Sequence, residues 1–347
     1  HLSLRRQRQM CIRDRNKGGA YEEAAVLYRS NAQSRAIEEA LLRVSIPYRI
    51  YGGLRFYERL EIKNAIAYLR IIFNNNDNPS FERSISNPTR GVGEKTLGKI
   101  RQTSKKYNIS YIKASAKLID EGLISGRGGA GLRDYLEFIA GCKAFIEENT
   151  LSELMELIIK ESGLYAYHAK EAGEKGKTRI ENLEELITAT KNFEQSIKED
   201  KSNLEIAESY LDIISLDSGD RQASEHDDAA QLMTMHSAKG LEFKLVLLTG
   251  LEESLFPHGR SMESASQLEE ERRLCYVAIT RAMEKLYITH AESRRLHGTD
   301  TFNPPSRFLR EIPKELIDEI RPRAQTNIPY NRKDFKETKM EFEEEIG

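Results

Sequence analysis

The chain contains two stretches with a strand–helix–strand pattern, and a long block of helical patterns separates them. In the first stretch, the apolar run AAVLY (24–28) is typical of a buried parallel strand. The run SRAIEEALLRVSI (34–46) then places apolar side chains on one helical face, and Pro47 opens a second strand, PYRIYG. Parallel strands joined by a helix are the unit from which α/β sheets are built.

The block from about Leu54 to Asp217 has the periodicity of amphipathic helices, broken by the turns NNNDNPS, SGRGGAG and AGEKGK. After the polar linker 218–228 the α/β pattern resumes. The economical architecture is therefore one doubly wound α/β domain with a helical domain inserted into it. The predicted helices cover 60–73, 97–107, 132–146, 151–162, 180–193 and 267–283, and the later strands 232–235, 245–250 and 286–291.

The expected domain boundaries follow from these patterns. The α/β domain takes residues 16–55 and 225–315, the helical domain takes 56–224, and the charged segment 316–347 forms a tail. The first fifteen residues, HLSLRRQRQMCIRDR, suit a basic arm for nucleic acid. However, MCIRDR resembles the translation of an adaptor sequence that contaminates assembled sequence data, so we interpret residues 1–15 as a non-biological or disordered segment.

Composition narrows the class of protein. Apolar residues make up 39% and charged residues 31% of the chain, and no apolar run is long enough to span a bilayer. The net charge is only −2, so any nucleic-acid site must be a local positive patch. Cys11, Cys142 and Cys275 show no metal-ligand spacing, and we expect reduced thiols, two of them buried, as in the cytosol.

The segment HSAKGLEF (236–243) lies between two predicted strands. A turn of small residues around Gly240 lets backbone NH groups approach an anion, Lys239 adds positive charge, and Glu242 can accept a hydrogen bond from a ribose hydroxyl. An ordinary turn with solvated charges explains the same residues, so the segment alone leaves both interpretations open.

Arg281 lies near the C-terminal end of the predicted helix in EEERRLCYVAITRAMEKLYITH. A cation there complements the helix dipole and can pair with Glu284. It also lies close to a strand end, where open α/β sheets bind ligands, and an arginine can stabilise a phosphoryl group in transfer. The residues by themselves do not decide between these roles.

The segment NPTRGVGEKTLGKI (87–100) has two glycines followed by the start of a helix, an arrangement that exposes backbone NH groups to phosphate. It is not a phosphate loop of the GxxxxGK[ST] type, which occurs nowhere in the chain. A plain turn between helices is the alternative. Four loop residues are weaker candidates for nucleic-acid contacts, because helix capping, solvation or packing explains each of them equally well. They are Arg29, Asn31, Arg55 and His258.

Six segments in the same order resemble the C-terminal half of the UvrD/PcrA/Rep family of superfamily 1 DNA helicases. They are YRSNAQSR, YRIYGGLRFYERLEIKNAIAYLR, NPTRGVGEKTL, MTMHSAKGLEFKLVLL, LFPHGR and EEERRLCYVAITRA, which together span about residues 20–312. The resemblance implies that the α/β pieces form a RecA-like parallel-sheet domain, called 2A, and that the helical block is the accessory domain 2B.

The resemblance also implies roles for individual residues. Arg281 matches the arginine finger that acts on ATP held by a first motor domain, Glu242 the ribose contact, and Gly240 a position near the phosphates. The implied cofactor is ATP with Mg²⁺, held mostly by that N-terminal RecA-like domain. The positions that resemble single-strand contacts are Arg29, Asn31, Arg55, His236 and His258, and those of the duplex-binding helix-hairpin-helix turn are Gly91, Gly93, Lys95 and Thr96.

The expected function is therefore that of the 2A/2B half of an ATP-dependent 3′→5′ DNA helicase of the bacterial cytosol or nucleoid. Its partners would be single-stranded DNA, single/double-strand junctions and repair proteins, with no membrane. The Walker A and B motifs of the family are absent here, so the chain by itself should neither hydrolyse ATP nor unwind DNA. Ala278 replaces a frequent glycine. The alternatives are a DNA-binding module without a motor, and the motor of a helicase-nuclease.

Overall fold

The computed structural model of the protein describes residues 19–197, 201–217, 227–296 and 299–320. Residues 1–15, and most of the predicted linker and tail, lie outside this description. Contacts divide the chain into two units, the first ending at Glu311 and the second beginning at Ile312. Within the described part of the second unit, the only regular element is one 3₁₀ turn, Lys314–Leu316.

Five parallel strands form the sheet of the first unit, in the order β2-β3-β1-β4-β5. The central strand β1 is buried at all five positions, which explains its uninterrupted apolar sequence. Separate apolar clusters cover the two faces of the sheet. The predicted α/β class is confirmed, with strands β1 (Ala24–Tyr28), β2 (Tyr48–Ile50), β3 (Ala230–Thr234), β4 (Phe243–Thr249) and β5 (Ala282–Thr289).

In the part of the chain that the structure describes, two α-helices accompany the sheet, and nine lie in the sequence between β2 and β3. The nine share one large apolar core, at whose centre the rings of Phe81 and Tyr135 meet edge to face. The sheet helices are α1 (Ser34–Leu42) and α11 (Ala265–Ile279). The others are α2 (Leu60–Phe73), α3 (Asn78–Ser86), α4 (Glu94–Tyr107), α5 (Tyr111–Asp120), α6 (Gly126–Glu148), α7 (Leu151–Glu161), α8 (Leu164–Ala169), α9 (Glu174–Ser196) and α10 (Asn203–Asp217).

The structure corrects several predicted elements. The glycine-rich segment SGRGGAG was expected to be a turn, but α6 begins at Gly126, and Gly128 and Gly131 of this helix lie against the backbone of Gly91 and Arg90, where a Cβ would be crowded. Helix α11 ends at Ile279 rather than at Met283, since the next strand already begins at Ala282. Helices α3, α5, α8 and α10 were not predicted, nor was the antiparallel pair β6 (Arg294–Leu296) and β7 (Thr299–Thr301).

Buried polar side chains join the helical block to the sheet. Arg59 is 8% exposed, and it donates to the carbonyl of Asn31 at 2.9 Å, to Ser34 Oγ at 2.6 Å and to Asn182 Oδ1 at 2.8 Å. Nearby, Arg35 Nε pairs with Glu185 of α9 at 2.6 Å. Helix α9 carries both Asn182, the partner of Arg59, and Glu185, the partner of Arg35. This helix therefore fixes the helical block against the turn that follows β1.

The cysteine thiols and the apolar character of the helices bear on the expectations from composition. Cys142 and Cys275 are buried free thiols, as predicted, and burial raises the pKa of each to about 12. Among the described residues, none of the helices combines the length and the apolar character that crossing a bilayer requires.

Candidate nucleotide and DNA sites

Four of the predicted single-strand contacts follow the carboxyl ends of parallel strands. Arg29 comes directly after β1, His236 follows β3, and His258 lies in the loop after β4. Arg55 follows β2 in the loop whose Gly52 lies beside Ser237, a Cβ at that glycine being 3.6 Å from Ser237 Oγ. In a parallel sheet these ends share one edge, which we call the carboxyl edge.

A buried ion pair holds Arg29 at the carboxyl edge. Its Nε lies 3.1 and 3.0 Å from the two carboxylate oxygens of Glu271, and its Nη2 lies 2.6 Å from one of them. Glu271, in the middle of α11, is 5% exposed and also accepts hydrogen bonds from His258 N and Ser261 Oγ. Burial raises the pKa of Glu271, but the Arg29 hydrogen bond and charge outweigh it, and the net pKa is lowered.

The helical block contributes a second carboxylate to the same edge. Glu181 of α9 accepts a hydrogen bond from Ser30 Oγ and lies 3.5 Å from Nε2 of His258. Burial raises the pKa of Glu181, while His258 and Ser30 lower it further, so the net direction is down. A negative charge therefore faces side chains that are predicted to contact a DNA backbone.

The environments of the other predicted single-strand contacts differ. His236 is exposed by surface area, yet desolvation and the charge of Arg29 lower its pKa, which keeps the ring neutral at pH 7. Asn31 is half-buried and offers its carbonyl to Arg59. Arg55 is only 6% exposed and pairs with Glu58 at 2.7 Å, so little of its guanidinium reaches the surface in this conformation.

The predicted nucleotide contacts lie at the opposite edge of the sheet. Glu242 directly precedes β4 and Arg281 directly precedes β5, and the two strands are paired. Arg281 donates from Nη1 to the carbonyl of Leu241 at 2.9 Å and from Nε to the carbonyl of Val277 at 3.0 Å. Glu242 is exposed, and a Cβ at Gly240 would meet nothing within 4 Å, so the turn has open space beside it.

This placement corrects one argument from the sequence. Arg281 was associated with a strand end at which open sheets bind ligands, and that rule concerns carboxyl ends. The structure puts Arg281 at the amino end of β5, because α11 runs back across the sheet before the strand begins. The sequence pattern of a helix followed by a strand did not determine which end of the strand Arg281 lies at.

The predicted duplex-binding turn lies at the start of α4 in the helical block. Gly91 has φ +75°, and Gly93 is the residue before the helix, with Lys95 exposed in its first turn. A Cβ on Gly91 would lie 2.9 Å from Cγ of Arg127, and one on Gly128 would lie 3.5 Å from Thr96 Oγ1. The turn is therefore backed by the glycine-rich start of α6, and the first NH groups of α4 point away from the helix.

The model of the UvrD-like helicase C-terminal domain matches residues 6–121 and 135–293. The chain belongs to this family. It is 48% identical over 314 residues to DNA helicase II of Escherichia coli (strain K12), covering 90% of this chain and 43% of that protein. It is also 39% identical over 313 residues to the ATP-dependent DNA helicase PcrA of Bacillus subtilis (strain 168), covering 90% of this chain and 42% of that protein.

The chain spans less than half the length of these two relatives. The family of this UvrD-like domain is therefore shown, while the roles of its individual site residues stay predictions. The structure brings Arg29, His236 and His258 to one edge and Glu242 and Arg281 to the other. Sequence reasoning missed Glu271 and Glu181, which lie 242 and 151 residues away from their partners Arg29 and Ser30. Both belong to helices rich in glutamate, and nothing in those patterns distinguished them from solvated charges.

Proposed function

We propose that the chain is the C-terminal part of an ATP-dependent 3′→5′ DNA helicase that acts in repair or replication restart. The observation that carries the proposal is the separation of two groups of residues onto opposite edges of one sheet. Cationic and polar side chains gather at the carboxyl edge, while Glu242 and Arg281 lie together at the amino edge. A rigid sheet between the groups would transmit movement at one edge to the other.

The chemistry at the amino edge fits one side of a bound ATP. The exposed carboxylate of Glu242 can accept hydrogen bonds from ribose hydroxyls, and Arg281 can approach the transferring phosphoryl group. A guanidinium in that position contributes about 10³–10⁵ in rate. In this structure Arg281 donates to neutral carbonyls, and the multiple charges of a triphosphate would attract it more strongly. The phosphate loop and Mg²⁺ ligands would come from a first motor domain.

The chemistry at the carboxyl edge fits the backbone of single-stranded DNA. Arg29 and the two histidines present nitrogen atoms on neighbouring loops, which suits phosphate contacts that carry no sequence information. Binding should therefore weaken with salt. The logarithm of the binding constant should fall linearly with the logarithm of the salt concentration, with a slope of about −0.7 for each phosphate that is neutralised. The turn Gly91–Thr96 would add a contact to duplex DNA through backbone NH groups.

The experiment joins the chain to the N-terminal half encoded upstream and measures DNA-stimulated ATP hydrolysis. We expect Arg281→Ala to lower the rate by about 10³-fold or more, the size of an arginine-finger effect. The control is Arg273→Ala on α11, the helix that precedes Arg281. The side chain of Arg273 is 69% exposed and pairs only with Glu270 among the described residues. A loss below about tenfold, or an equal loss in the control, contradicts the catalytic role of Arg281.

A DNA-binding module without a motor is the second candidate, and one observation favours it. The carboxyl edge is assembled from residues of this chain. The reading frame upstream of Asn16 separates the candidates. A phosphate loop followed by an Asp-Glu pair supports the helicase, whereas an upstream sequence without them leaves only nucleic-acid binding.

A further inference from the structure

The contact between Arg29 and Glu271 links the two edges of the sheet. Glu271 belongs to α11, and the same helix continues to Ile279, two residues before Arg281. The eight residue steps of helix from Glu271 to Ile279 correspond to about 12 Å, which is close to the length of a short strand. The helix is thus attached to a predicted DNA contact near its middle and to a predicted nucleotide contact at its end.

A second connection between the two edges is the loop that joins β3 to β4. The segment 235–242 joins β3 to β4 and runs from the carboxyl edge, at His236, to the amino edge, at Glu242. Arg281 Nη1 donates to the Leu241 carbonyl at 2.9 Å, which ties the end of this segment to the end of α11. Movement of α11 along the sheet would therefore displace two groups at the same time, Arg281 and the turn that contains Glu242.

The geometry of Arg29 leaves room for a ligand while the pair persists. Its Nε and Nη2 face the carboxylate of Glu271, and its Nη1 makes no hydrogen bond to the residues that the structure describes. The side chain is 19% exposed, against 7% for Glu271. A planar guanidinium held on one side by a carboxylate presents its remaining NH groups in a fixed direction.

We infer that Glu271 is a positioning residue, which holds Arg29 for the DNA backbone and couples occupancy of that site to the placement of Arg281. The inference rests on the proposed function, because it assigns DNA to Arg29 and ATP to Arg281. A phosphate that draws the guanidinium outward would pull on Glu271, and α11 would carry the displacement to the amino edge. An ion pair with a purely structural role would stabilise the sheet without this dependence on DNA.

The test uses the chain itself with fluorescein-labelled oligothymidylate. Binding is followed by anisotropy, and hydrogen exchange is measured at 239–243 and 279–282 with and without the oligonucleotide. We expect DNA to slow exchange in both segments of the unmodified chain. In Glu271→Gln, affinity should fall because Arg29 loses the carboxylate that holds it, and the protection at these segments should be lost even at oligonucleotide concentrations that saturate the variant. Glu270→Gln, whose side chain is 74% exposed on the same helix, should behave as the unmodified chain.

Three results would count against the inference. Full protection in a Glu271→Gln chain that still binds DNA overturns the coupling and leaves the proposed function intact. Absence of DNA binding in the unmodified chain refutes the DNA site and the coupling together. If Glu271→Gln does not fold, Glu271→Asp replaces it, because the shorter side chain keeps the charge but cannot reach both Nε and Nη2 from the same helix position. Unchanged protection in that variant likewise overturns the coupling.

Discussion

Close packing between α6 and the turn before α4 gives a sharp prediction for Gly131→Ala. A Cβ at Gly131 would lie 2.0 Å from the carbonyl oxygen of Arg90 and 3.1 Å from its carbon, whereas real Cβ contacts essentially never fall below 3.0 Å. Arg90 cannot yield easily, because its guanidinium donates to the carbonyls of Ser84, Pro88 and Ser162. The helix and the turn must therefore separate by about 1 Å, which is the difference between the 2.0 Å contact and the 3.0 Å limit.

Such overpacking costs about 1–3 kcal/mol of unfolding free energy. For a cooperative unit of 150–250 residues, each kcal/mol corresponds to about 2–4 °C, so the melting temperature should fall by about 2–12 °C. The matched control is Gly141→Ala in the same helix, where the added Cβ meets nothing within 4 Å. At this exposed position alanine should raise stability by about 0.5–1 kcal/mol through helix propensity.

The assay is thermal unfolding followed by circular dichroism, together with anisotropy on duplex and single-stranded oligonucleotides. Because Gly131 supports the turn that contains Gly91 and Thr96, Gly131→Ala should also weaken duplex binding while single-strand binding is retained. The reasoning is refuted if Gly131→Ala melts at or above the temperature of Gly141→Ala. It is also refuted if the two variants bind duplex DNA equally well at a temperature where both are folded.

Two further predictions concern the carboxylates of the carboxyl edge. Glu181→Gln removes a negative charge beside Ser30 and His258, so anisotropy should show single-strand affinity rising by about two- to fivefold, and a decrease would contradict the placement of DNA there. The second prediction concerns acid: the pKa of Glu271 is lowered in the folded state, so its stabilisation is present above 4.5 and is lost as pH falls through the lower folded pKa. Urea titrations below pH 4.5 should therefore show a smaller loss of stability with falling pH for Glu271→Gln than for the unmodified chain, and parallel losses would exclude this role of the Arg29 pair.

Periodicity was sufficient for the elements whose burial is uniform. Strand β1 and helix α2 have the predicted bounds, because a continuously apolar run or a clean apolar face leaves one way of burying the chain. The short helix α8 and the strands β6 and β7 carry no such pattern, and only their surroundings stabilise them. The local sequence Gly126–Gly131 predicts a turn, but the segment is helical in the structure, and the missing side chain at Gly131 lets the carbonyl of Arg90 approach the helix closely.

The sequence by itself determined the α/β class with its helical insertion, and its ordered motifs determined the family. These properties depend on residues that are close in the chain, where composition and spacing act directly. The tertiary structure alone decided that Arg281 lies at the amino edge of the sheet and that Glu271 pairs with Arg29, since both depend on the direction in which α11 crosses the strands. A pairing between residues 242 positions apart is set by the packing of the whole sheet, and no local pattern encodes it.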